Sequence, residues 1–459
     1  MESQPIALVD WPSAPLTESL VRKSLNNALP LATLVAAIPE TFAASRDNRM
    51  LQWATYDSMD HELTHFHADS VLSSSYTIRK ALIRKHFLSR CIHSYTTKHS
   101  DSLLKNATPR TWDLEIAYAD ELDEMWSDEL WDLGAELVED PSKWWILKPG
   151  MADRGMGIRL FNSKETLQKI FEDFEETSDD GEDDQDQTAV ITSQLRHFVI
   201  QEYISTPLLV DPYEINLNPD LPTKTPRTLQ GYKFHMRAYF IASGALKLYM
   251  YPRVLALFSA VRYSPPTQDI ASDGQPVNVD LAPHLTNTSL QTHKGEDGVR
   301  LLDELIGCHV LSGAQDDSHL GLILTAEDIS NLQDQMATVL AETFKAALEN
   351  PVHFQPVPNA FELFGVDFLV SHNPVNPTAP ERLYQVQLLE INSEPAIELT
   401  GPRLTWILEE LFLAIGEVCV SPFFAAERSR AATSLVHGDL LRKCLEVDVH
   451  GSGARMRPS

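Results

Sequence analysis

The chain has 459 residues, enough to bury a substantial core in two or three lobes. A formal net charge of -28 and a pI near 4.9 argue against nucleic acid and anionic membranes as direct partners. The four cysteines show no paired spacing, and the first residues lack the basic and apolar segments of a signal peptide, so we expect reduced thiols and a cytoplasmic location.

The first motif in chain order is His61-Glu62-x-x-His65, which matches a zinc metalloprotease pattern. In that pattern two imidazoles one helical turn apart bind Zn²⁺, and the glutamate activates water. The third ligand of a metzincin would fall at Val71, and no Asp or Glu lies between Asp69 and Asp101 to replace it. We therefore interpret the match as chance, with a zinc hydrolase as the competing hypothesis.

A basic stretch follows, formed by Arg79, Lys80, Arg84, Lys85, Arg90 and Lys98. Such a stretch suits an acidic substrate, and it also suits an ordinary solvent-exposed helix. The sequence leaves both interpretations open.

Residues 144–149 form a short apolar strand that ends in Lys148 and Pro149, and a segment rich in glycine comes next. Glycines let backbone N–H groups approach phosphate, and Lys148 would add a positive charge there. A hairpin turn is the commoner meaning of such a loop. The chain has neither a P-loop nor a Rossmann glycine pattern, which argues against both folds.

The acidic residues 172–187 predict a disordered, solvated loop between two sheet segments. The next strand, 232–241, alternates apolar side chains with Lys233, His235 and Arg237. An exposed edge strand also carries cations on one face. The bulky apolar face instead favours an internal sheet whose polar face opens on a cleft.

The apolar strand at 384–392 ends by placing Glu390 and Asn392 on one face, about 7 Å apart, where they can share one hard cation. An upstream apolar run contains Asp367, and the turn-rich connection predicts an antiparallel hairpin that brings it beside them. Two carboxylates and an amide oxygen suit Mg²⁺ carrying substrate phosphates better than Zn²⁺. The alternative is a buried strand with polar residues at its solvent end.

Six motifs occur in order: Ile146-Leu147-Lys148-Pro149 with Arg154-Gly155-Met156-Gly157-Ile158, Val199-Ile200-Gln201-Glu202-Tyr203-Ile204 with Pro207-Leu208-Leu209, Lys233-Phe234-His235-Met236-Arg237, His284-Leu285-Thr286-Asn287, Phe364-Gly365-Val366-Asp367 and Glu390-Ile391-Asn392-Ser393-Glu394-Pro395. Upstream stands Arg84-Lys85-His86-Phe87-Leu88. This set resembles the tubulin tyrosine ligase family, a branch of the ATP-grasp ligases, and covers the chain from near Ile6 to near Phe424. Six motifs in order are far more specific than any one of them.

The resemblance implies a site for ATP and Mg²⁺. It implies ATP contacts from Lys85, Lys148, Gly155, Gly157, Gln201, Glu202, Lys233 and the backbone of Tyr203 and Ile204. It implies amino-acid and acyl-group contacts from Arg237, His284, Thr286 and Asn287, with Arg237 and Lys233 as the catalytic residues. It implies Mg²⁺ on Asp367, Glu390 and Asn392, which is the triad that the strand pattern also predicts.

Two departures from the family pattern weigh against catalysis. The family usually has an aspartate between the lysine and arginine of the cationic strand, where this chain has His235. It also tends to have Glu-Gly and a phosphate-binding arginine after the next strand. In this chain the corresponding residues, 251–257, lack Glu-Gly and have no arginine at the expected position near Ala256. Arg253 is the nearest candidate. These departures leave the expectation of ATP binding unchanged and bear on the ligation step: they favour a relative without ligation, whereas the intact metal triad argues for a ligase.

The resemblance implies an α/β (α+β) ATP-grasp fold. We expect a mixed N-terminal lobe at 1–75, a central ATP-grasp lobe at 76–205, a C-terminal ATP-grasp lobe with the metal site at 206–428, and a partly mobile extension at 429–459. The implied activity joins an amino acid of tyrosine or glutamate type to a protein carboxylate, with tubulin as a possible acceptor, although an acidic chain is an unusual match for a glutamate-rich tubulin tail. The alternative is an ATP-binding interaction protein of the same fold.

Overall fold

The computed structural model describes residues 4–45, 47–150, 155–179, 196–215, 225, 228–268, 278–286, 298–312, 322–373, 383–425 and 437–448. These residues form three β-sheets that follow one another along the chain, with helices packed against them. The predicted mixed α/β class is confirmed.

The first sheet is small and parallel, with strand order β2-β1-β3-β4. Its elements are β1 (Ile6–Leu8), α1 (Pro15–Ala28), β2 (Thr33–Val35), β3 (Met50–Gln52), α2 (His61–Phe66) and β4 (Val71–Ser73). Helix α1 begins with a proline, which suits the first helical turn because the missing N–H would have no partner there. Ser24 of α1 donates a 2.6 Å hydrogen bond to the Phe412 carbonyl, which ties this sheet to a helix near the C-terminus.

The second sheet is antiparallel, with strand order β5-β8-β6-β7. The elements of this region are α3 (Lys80–Ile83), α4 (Lys85–Lys98), α5 (Leu104–Ala107), β5 (Thr111–Glu115), α6 (Leu122–Met125), α7 (Trp131–Glu139), β6 (Trp145–Pro149), β7 (Arg159–Phe161), α8 (Lys164–Asp179) and β8 (His197–Glu202).

Helix α8 corrects the prediction of an acidic loop at 172–187. The prediction is wrong for residues 172–179, which belong to this helix, and residues 180–187 lie outside the described part of the chain. Phe171 and Phe174 lie on the buried face of α8 and pack against Phe198 of β8. This apolar contact with the sheet stabilises a helix that the acidic composition alone would not predict.

The third sheet has eight strands around the long strand β10. The elements of this region are β9 (Leu209–Val210), β10 (Tyr232–Ser243), β11 (Lys247–Met250), β12 (Leu255–Phe258), β13 (Val299–Leu301), α9 (Ala326–Leu348), β14 (Phe361–His372), β15 (Tyr384–Ser393), α10 (Thr405–Ile415), α11 (Ser421–Phe424) and β16 (Arg442–Glu446). A π-helical turn, Gly416–Val420, joins the last two helices. Strand β16 lies within the predicted C-terminal extension and pairs with β11.

Strand β10 is internal, as its bulky apolar face predicted, because it pairs with β11 and β12 on one edge and with β14 on the other. Its apolar face packs with α9 in one core. On the opposite face, Lys233, His235 and Arg237 line a cavity, whereas Tyr239 and Ile241 enter a second core with α1 and α10. The polar row therefore occupies only the first half of the strand.

No helix among the described residues is long and apolar enough to cross a membrane. Cys91, Cys308 and Cys419 are buried free thiols, and Cys444 is a partly exposed one.

Candidate functional site

A cavity of about 380 Å³ lies between the second and third sheets. Its walls include most of the predicted site residues, namely Lys85, Lys148, Gly155, Gln201, Glu202, Tyr203, Ile204, Lys233, Arg237, His284, Thr286, Asp367, Glu390 and Asn392. Gly157 is not on the wall, although both of its sequence neighbours, Met156 and Ile158, are. Asn287 lies outside the described residues.

The three predicted metal ligands meet on the β14–β15 hairpin, which is antiparallel as predicted. Asp367 pairs with Glu390 across the strands, and the register shifts at the next position of β14, so that Leu389 is an extra residue in β15. This bulge lets Leu388 and Ile391 face the core while Leu389, Glu390 and Asn392 face the cavity. The Asn392 amide donates to the Asp367 carboxylate over 3.3 Å and to the Glu390 carboxylate over 3.2 Å.

Each of these carboxylates also has a cation as a partner. Arg237 donates two hydrogen bonds to Asp367, and Lys85 lies 3.2 Å from Glu390. Burial alone would raise the pKa of Asp367, but the Arg237 guanidinium and His235 outweigh burial and hold this pKa well below its ordinary value. The donor set is made of hard oxygen atoms, so its chemistry fits Mg²⁺.

Two buried lysines face this group from the neighbouring strands. Lys148 of β6 donates a 2.7 Å hydrogen bond to the side-chain oxygen of Gln201, and Lys233 of β10 donates to the Tyr203 hydroxyl over 3.2 Å. Burial lowers the pKa of Lys148 to about 8, although Glu390 opposes the shift. Burial and the charge of Lys148 lower the pKa of Lys233 to about 7. Burial is the main cause of both shifts, because a desolvated site disfavours the charged ammonium, and lysines with lowered pKa values in a cleft are typical of functional sites.

The glycine segment after β6 adopts backbone angles that suit glycine. Gly155 and Gly157 have φ of 79° and 70°, a left-handed region that other residues rarely adopt. Residues 151–154 of this segment lie outside the described part of the chain. The segment reaches the cavity beside Lys148, where its N–H groups can approach an anion.

The end of β8 forms a polar and apolar rim suited to a planar ring. Gln201 is fixed by Lys148 and by a 3.2 Å hydrogen bond to the Thr111 hydroxyl. The Tyr203 N–H donates to the Trp144 carbonyl over 2.9 Å, whereas the Ile204 N–H has no hydrogen-bond partner among the residues that the structure describes. Ile146 and Leu369 add apolar wall beside this rim.

The cavity wall also holds a group formed by His235, His284 and Thr286. His235 forms a 2.6 Å hydrogen bond with the Thr286 hydroxyl, and its other ring nitrogen lies 3.5 Å from Asp367. His284 bonds the Tyr203 hydroxyl over 2.9 Å, and burial together with Lys233 lowers the pKa of His284 to about 4. The His284 imidazole is therefore neutral at pH 7.

Arg253 does not reach this group of residues. Its guanidinium lies 3.8 Å from Asp303 and 5.6 Å from the ring of Trp406, and it is not on the cavity wall. Leu257 faces the cavity instead, directly opposite His235 on β12.

The basic stretch at 79–98 is mostly neutralised within the protein. Arg79 pairs with Glu362, Lys85 with Glu390, Arg90 with Asp113 and Lys98 with Glu349. This pairing favours a structural role over an open basic surface for an acidic substrate.

The zinc-like motif lies on the short helix α2. The His61 ring nitrogens lie 3.0 Å from the Tyr56 carbonyl and 3.4 Å from the Thr77 hydroxyl. Within the described ranges, no three His, Cys, Asp or Glu side chains are grouped so as to hold a metal ion. The triad of Asp367, Glu390 and Asn392 contains only two residues of those types.

The structure gives roles to two motif residues for which the sequence predicted none, Gly365 and Glu394. A Cβ at Gly365 would come within 2.7 Å of Pro395, so glycine lets the loop after β15 pack beside Arg237. A glycine inside an apolar strand run is the signal that could have suggested this close approach. Glu394, on the cavity wall, has a φ of 48° and accepts a 2.8 Å hydrogen bond from the Tyr56 N–H. No sequence pattern indicated that link to the first sheet.

The chain is similar to known proteins over most of its length. Residues 68–428 match the sequence model of the tubulin-tyrosine ligase family. A probable tubulin–tyrosine ligase of Saccharomyces cerevisiae, PBY1, is 34% identical over 426 residues, which cover 89% of this chain and 51% of that protein. A probable tubulin–tyrosine ligase of Schizosaccharomyces pombe is 34% identical over 411 residues, or 86% of this chain and 88% of that protein. The chain thus spans about half the length of the S. cerevisiae relative.

A solved structure supports the fold. The C-terminal domain of K. lactis Pby1, described as an ATP-grasp enzyme that interacts with the mRNA decapping enzyme Dcp2, aligns with a TM-score of 0.60 and 29% sequence identity. The alignment covers 97% of this chain and 99% of that one. The predicted ATP-grasp fold is confirmed by this likeness.

Proposed function

This chain belongs to the tubulin-tyrosine ligase family, and from that premise we propose that it is an ATP- and Mg²⁺-dependent carboxylate–amine ligase. It would join an amino acid, of tyrosine or glutamate type, to a carboxylate of a protein acceptor. Tubulin is the acceptor that the names of the relatives suggest.

The observation that carries the proposal is the meeting of opposite charges in one cavity. Lys85, Lys148, Lys233 and Arg237 lie on the wall of one cavity of about 380 Å³ together with Asp367, Glu390 and Asn392. Cations beside oxygen donors for a hard metal match the needs of a metal-bound triphosphate.

The reaction would proceed in two displacements. A carboxylate oxygen of the acceptor attacks the terminal phosphorus of ATP, the bond to ADP breaks, and an acyl phosphate forms. The amine of the amino acid then attacks the acyl carbon, an amide forms, and inorganic phosphate and one proton are released. Phosphoryl transfer of this kind depends on charge neutralisation more than on a protein nucleophile.

The residues divide this work by position. Lys85 and Lys148 would bind the phosphates, and the rim at Gln201–Ile204 would bind the adenine. Lys233 would complete the phosphate cluster, held in place by the Tyr203 hydroxyl. Arg237, two residues further along the same face of β10, would contact the reacting carboxylate or the acyl phosphate.

Asp367, Glu390 and Asn392 would hold Mg²⁺. The ion would supply positive charge that offsets the charge developing on the transferred phosphoryl group. These residues would also orient the phosphate end of the nucleotide, because the bulge in β15 fixes where their side chains point.

A second candidate function is that of an ATP-binding interaction protein without amino-acid transfer. Two features favour it, namely His235 in place of the family's usual aspartate and Leu257 opposite it on the wall. The K. lactis protein of similar structure interacts with an mRNA decapping enzyme. A partner of that kind is the corresponding proposal for this chain.

Calorimetry with ATP and Mg²⁺, followed by an assay of ATP consumption with tubulin and each amino acid, separates the two candidates. A ligase forms ADP and phosphate in proportion to amide, and only when amino acid and acceptor are both present. Binding of ATP with no transfer to tubulin or to any peptide carboxylate would support the second candidate, and absence of nucleotide binding would exclude both.

A further inference from the structure

Helix α7 and the segment around it are strongly acidic. Between Thr111 and Ser142 the sequence contains twelve Asp and Glu residues and neither Lys nor Arg. Six exposed acidic residues of α6, α7 and the turn between them form no ion pair with any described residue, and these are Asp123, Glu124, Asp128, Glu129, Asp132 and Glu139. A potential of one sign over such a surface attracts cationic partners.

The same helix exposes an apolar stripe. Trp131, Ala135 and Val138 follow the i, i+4, i+7 spacing of one helix face, and all three are exposed. Trp131 is 65% and Val138 is 73% solvent-accessible. An exposed tryptophan on a regular helix is uncommon and is typical of interaction surfaces, where Trp is enriched at the centre.

The stripe is held rigidly in its outward position. Leu133 and Leu137 bury the opposite face of α7 in the core of the second sheet. Arg110 clamps Glu136 with two hydrogen bonds of 2.5 and 2.7 Å on one flank. On the other flank, a Cβ at Gly134 would come within 2.9 Å of Lys164, whose ammonium lies 4.8 Å from the ring of Trp126. A helix fixed in this way cannot turn Trp131 inward.

We propose that this face of α7 is a docking site for a basic amphipathic segment of a partner protein, with large apolar side chains on the Trp131–Ala135–Val138 stripe and Lys or Arg side chains against the surrounding carboxylates. Charge complementarity selects this occupant, because a second copy of the chain would bring the same acidic helix to the contact. The site is separate from the nucleotide cavity, whose walls contain no residue of α7.

The test uses a fluorescein-labelled synthetic peptide of leucine and lysine, with the leucines on one helical face, and measures its anisotropy with the full chain. Two comparison peptides have glutamate in place of lysine, or a scrambled order in which the leucines share no face. The key variant is Trp131→Ala with Val138→Ser, which removes apolar contact and leaves the charge unchanged. The matched control is Phe66→Ala with Val352→Ser. Phe66 and Val352 are each 72% exposed and lie outside α7. Circular dichroism confirms that each variant is folded.

We expect wild type and control to bind the leucine–lysine peptide alike, the key variant to bind about tenfold or more weakly, and added salt to weaken binding. The comparison peptides should bind poorly. The proposal is overturned if wild type does not bind, if the key variant binds as wild type does, or if the control loses as much. Self-association of wild type that the key variant abolishes, measured by sedimentation, would assign the face to a second copy and overturn it as well.

Discussion

The guanidinium of Arg237 donates two hydrogen bonds to the carboxylate of Asp367, from Nε to Oδ1 and, over 2.8 Å, from Nη2 to Oδ2. Glu390, the other carboxylate of the candidate metal group, is likewise paired with Lys85 at 3.2 Å. Because each carboxylate already has a cation, Mg²⁺ alone gains little by binding there. A nucleotide changes this balance, since its phosphates attract Lys85 away from Glu390 and bring the metal with them. Metal and nucleotide should therefore bind together.

Replacing Glu390 with glutamine tests that coupling. The change removes one ligand charge and keeps the shape of a cavity-facing side chain, so we expect Mg²⁺-dependent ATP affinity to fall by at least about tenfold without loss of folding. Titration calorimetry with ATP, with and without Mg²⁺, measures the effect. Asp334→Asn is the control, since it removes a carboxylate that is paired with Arg442 on the surface. Equal ATP affinity in Glu390→Gln and wild type, with magnesium present, would disprove the metal site.

The two buried lysines predict that ATP binds more weakly as pH rises. In the free protein the pKa of Lys233 is lowered to about 7 and that of Lys148 to about 8. Bound phosphate favours the protonated amines and raises both pKa values, so binding takes up protons above about pH 7. Affinity should fall as pH passes through about 7 and 8. Calorimetry in two buffers of different ionisation enthalpy measures the proton uptake.

Lys233→Arg is the matched control for this pH effect. A guanidinium stays charged throughout the range, so the variant should show less proton uptake and a flatter dependence of affinity on pH. If wild type and Lys233→Arg have the same pH profile, the ammonium of Lys233 does not face the phosphates.

How far the sequence predicts this site depends on the kind of contact. Alternation along β10 places Lys233 on the cavity side, because one buried face of a sheet specifies strand register. Alternation along β15 would place Glu390 on the core face with Val386 and Leu388, and the bulge at Leu389 turns it to the cavity. The bulge at Leu389 could not be predicted, since it depends on how β14 and β15 pair and leaves no composition signal. The sequence also could not predict which residue pairs with Arg237, because its partner, Asp367, lies 130 positions away along the chain.

If the chain is a ligase, substitutions at Lys233 and at Arg237 should change different kinetic constants. Lys233→Ala removes a contact with bound ATP and should raise the ATP KM, whereas a change at Arg237 should lower kcat and nearly keep nucleotide affinity. Steady-state kinetics with the identified amino acid and acceptor measure both constants. An equal rise in KM for both variants would contradict this division of roles.

The choice of variant at Arg237 matters because of its ion pair. Arg237→Ala would leave the buried Asp367 carboxylate without its partner, which costs about 3–5 kcal/mol of stability. Arg237→Lys keeps one positive charge near Asp367 and loses the two-point contact. The kinetic comparison therefore uses Arg237→Lys, with Arg237→Ala included only if its thermal unfolding shows that it is folded.

The last prediction concerns His235, which stands where the family usually has an aspartate. Its imidazole contacts the Thr286 hydroxyl at 2.6 Å and lies 3.5 Å from Asp367. An aspartate at this position would place a second carboxylate near Asp367, and two such groups repel each other unless a cation lies between them. Without ligands, His235→Asp should therefore unfold at a lower temperature than wild type. Addition of Mg²⁺ and ATP should raise the unfolding temperature of His235→Asp more than that of wild type. His235→Asn is the control, since it changes size and hydrogen bonding without adding charge.

If wild type binds ATP but transfers no amino acid and His235→Asp transfers one, His235 is the residue that separates a nucleotide-binding relative from a ligase. If wild type already transfers an amino acid and His235→Asp does not, the imidazole is part of the working site, and the departure from the family pattern belongs to its chemistry.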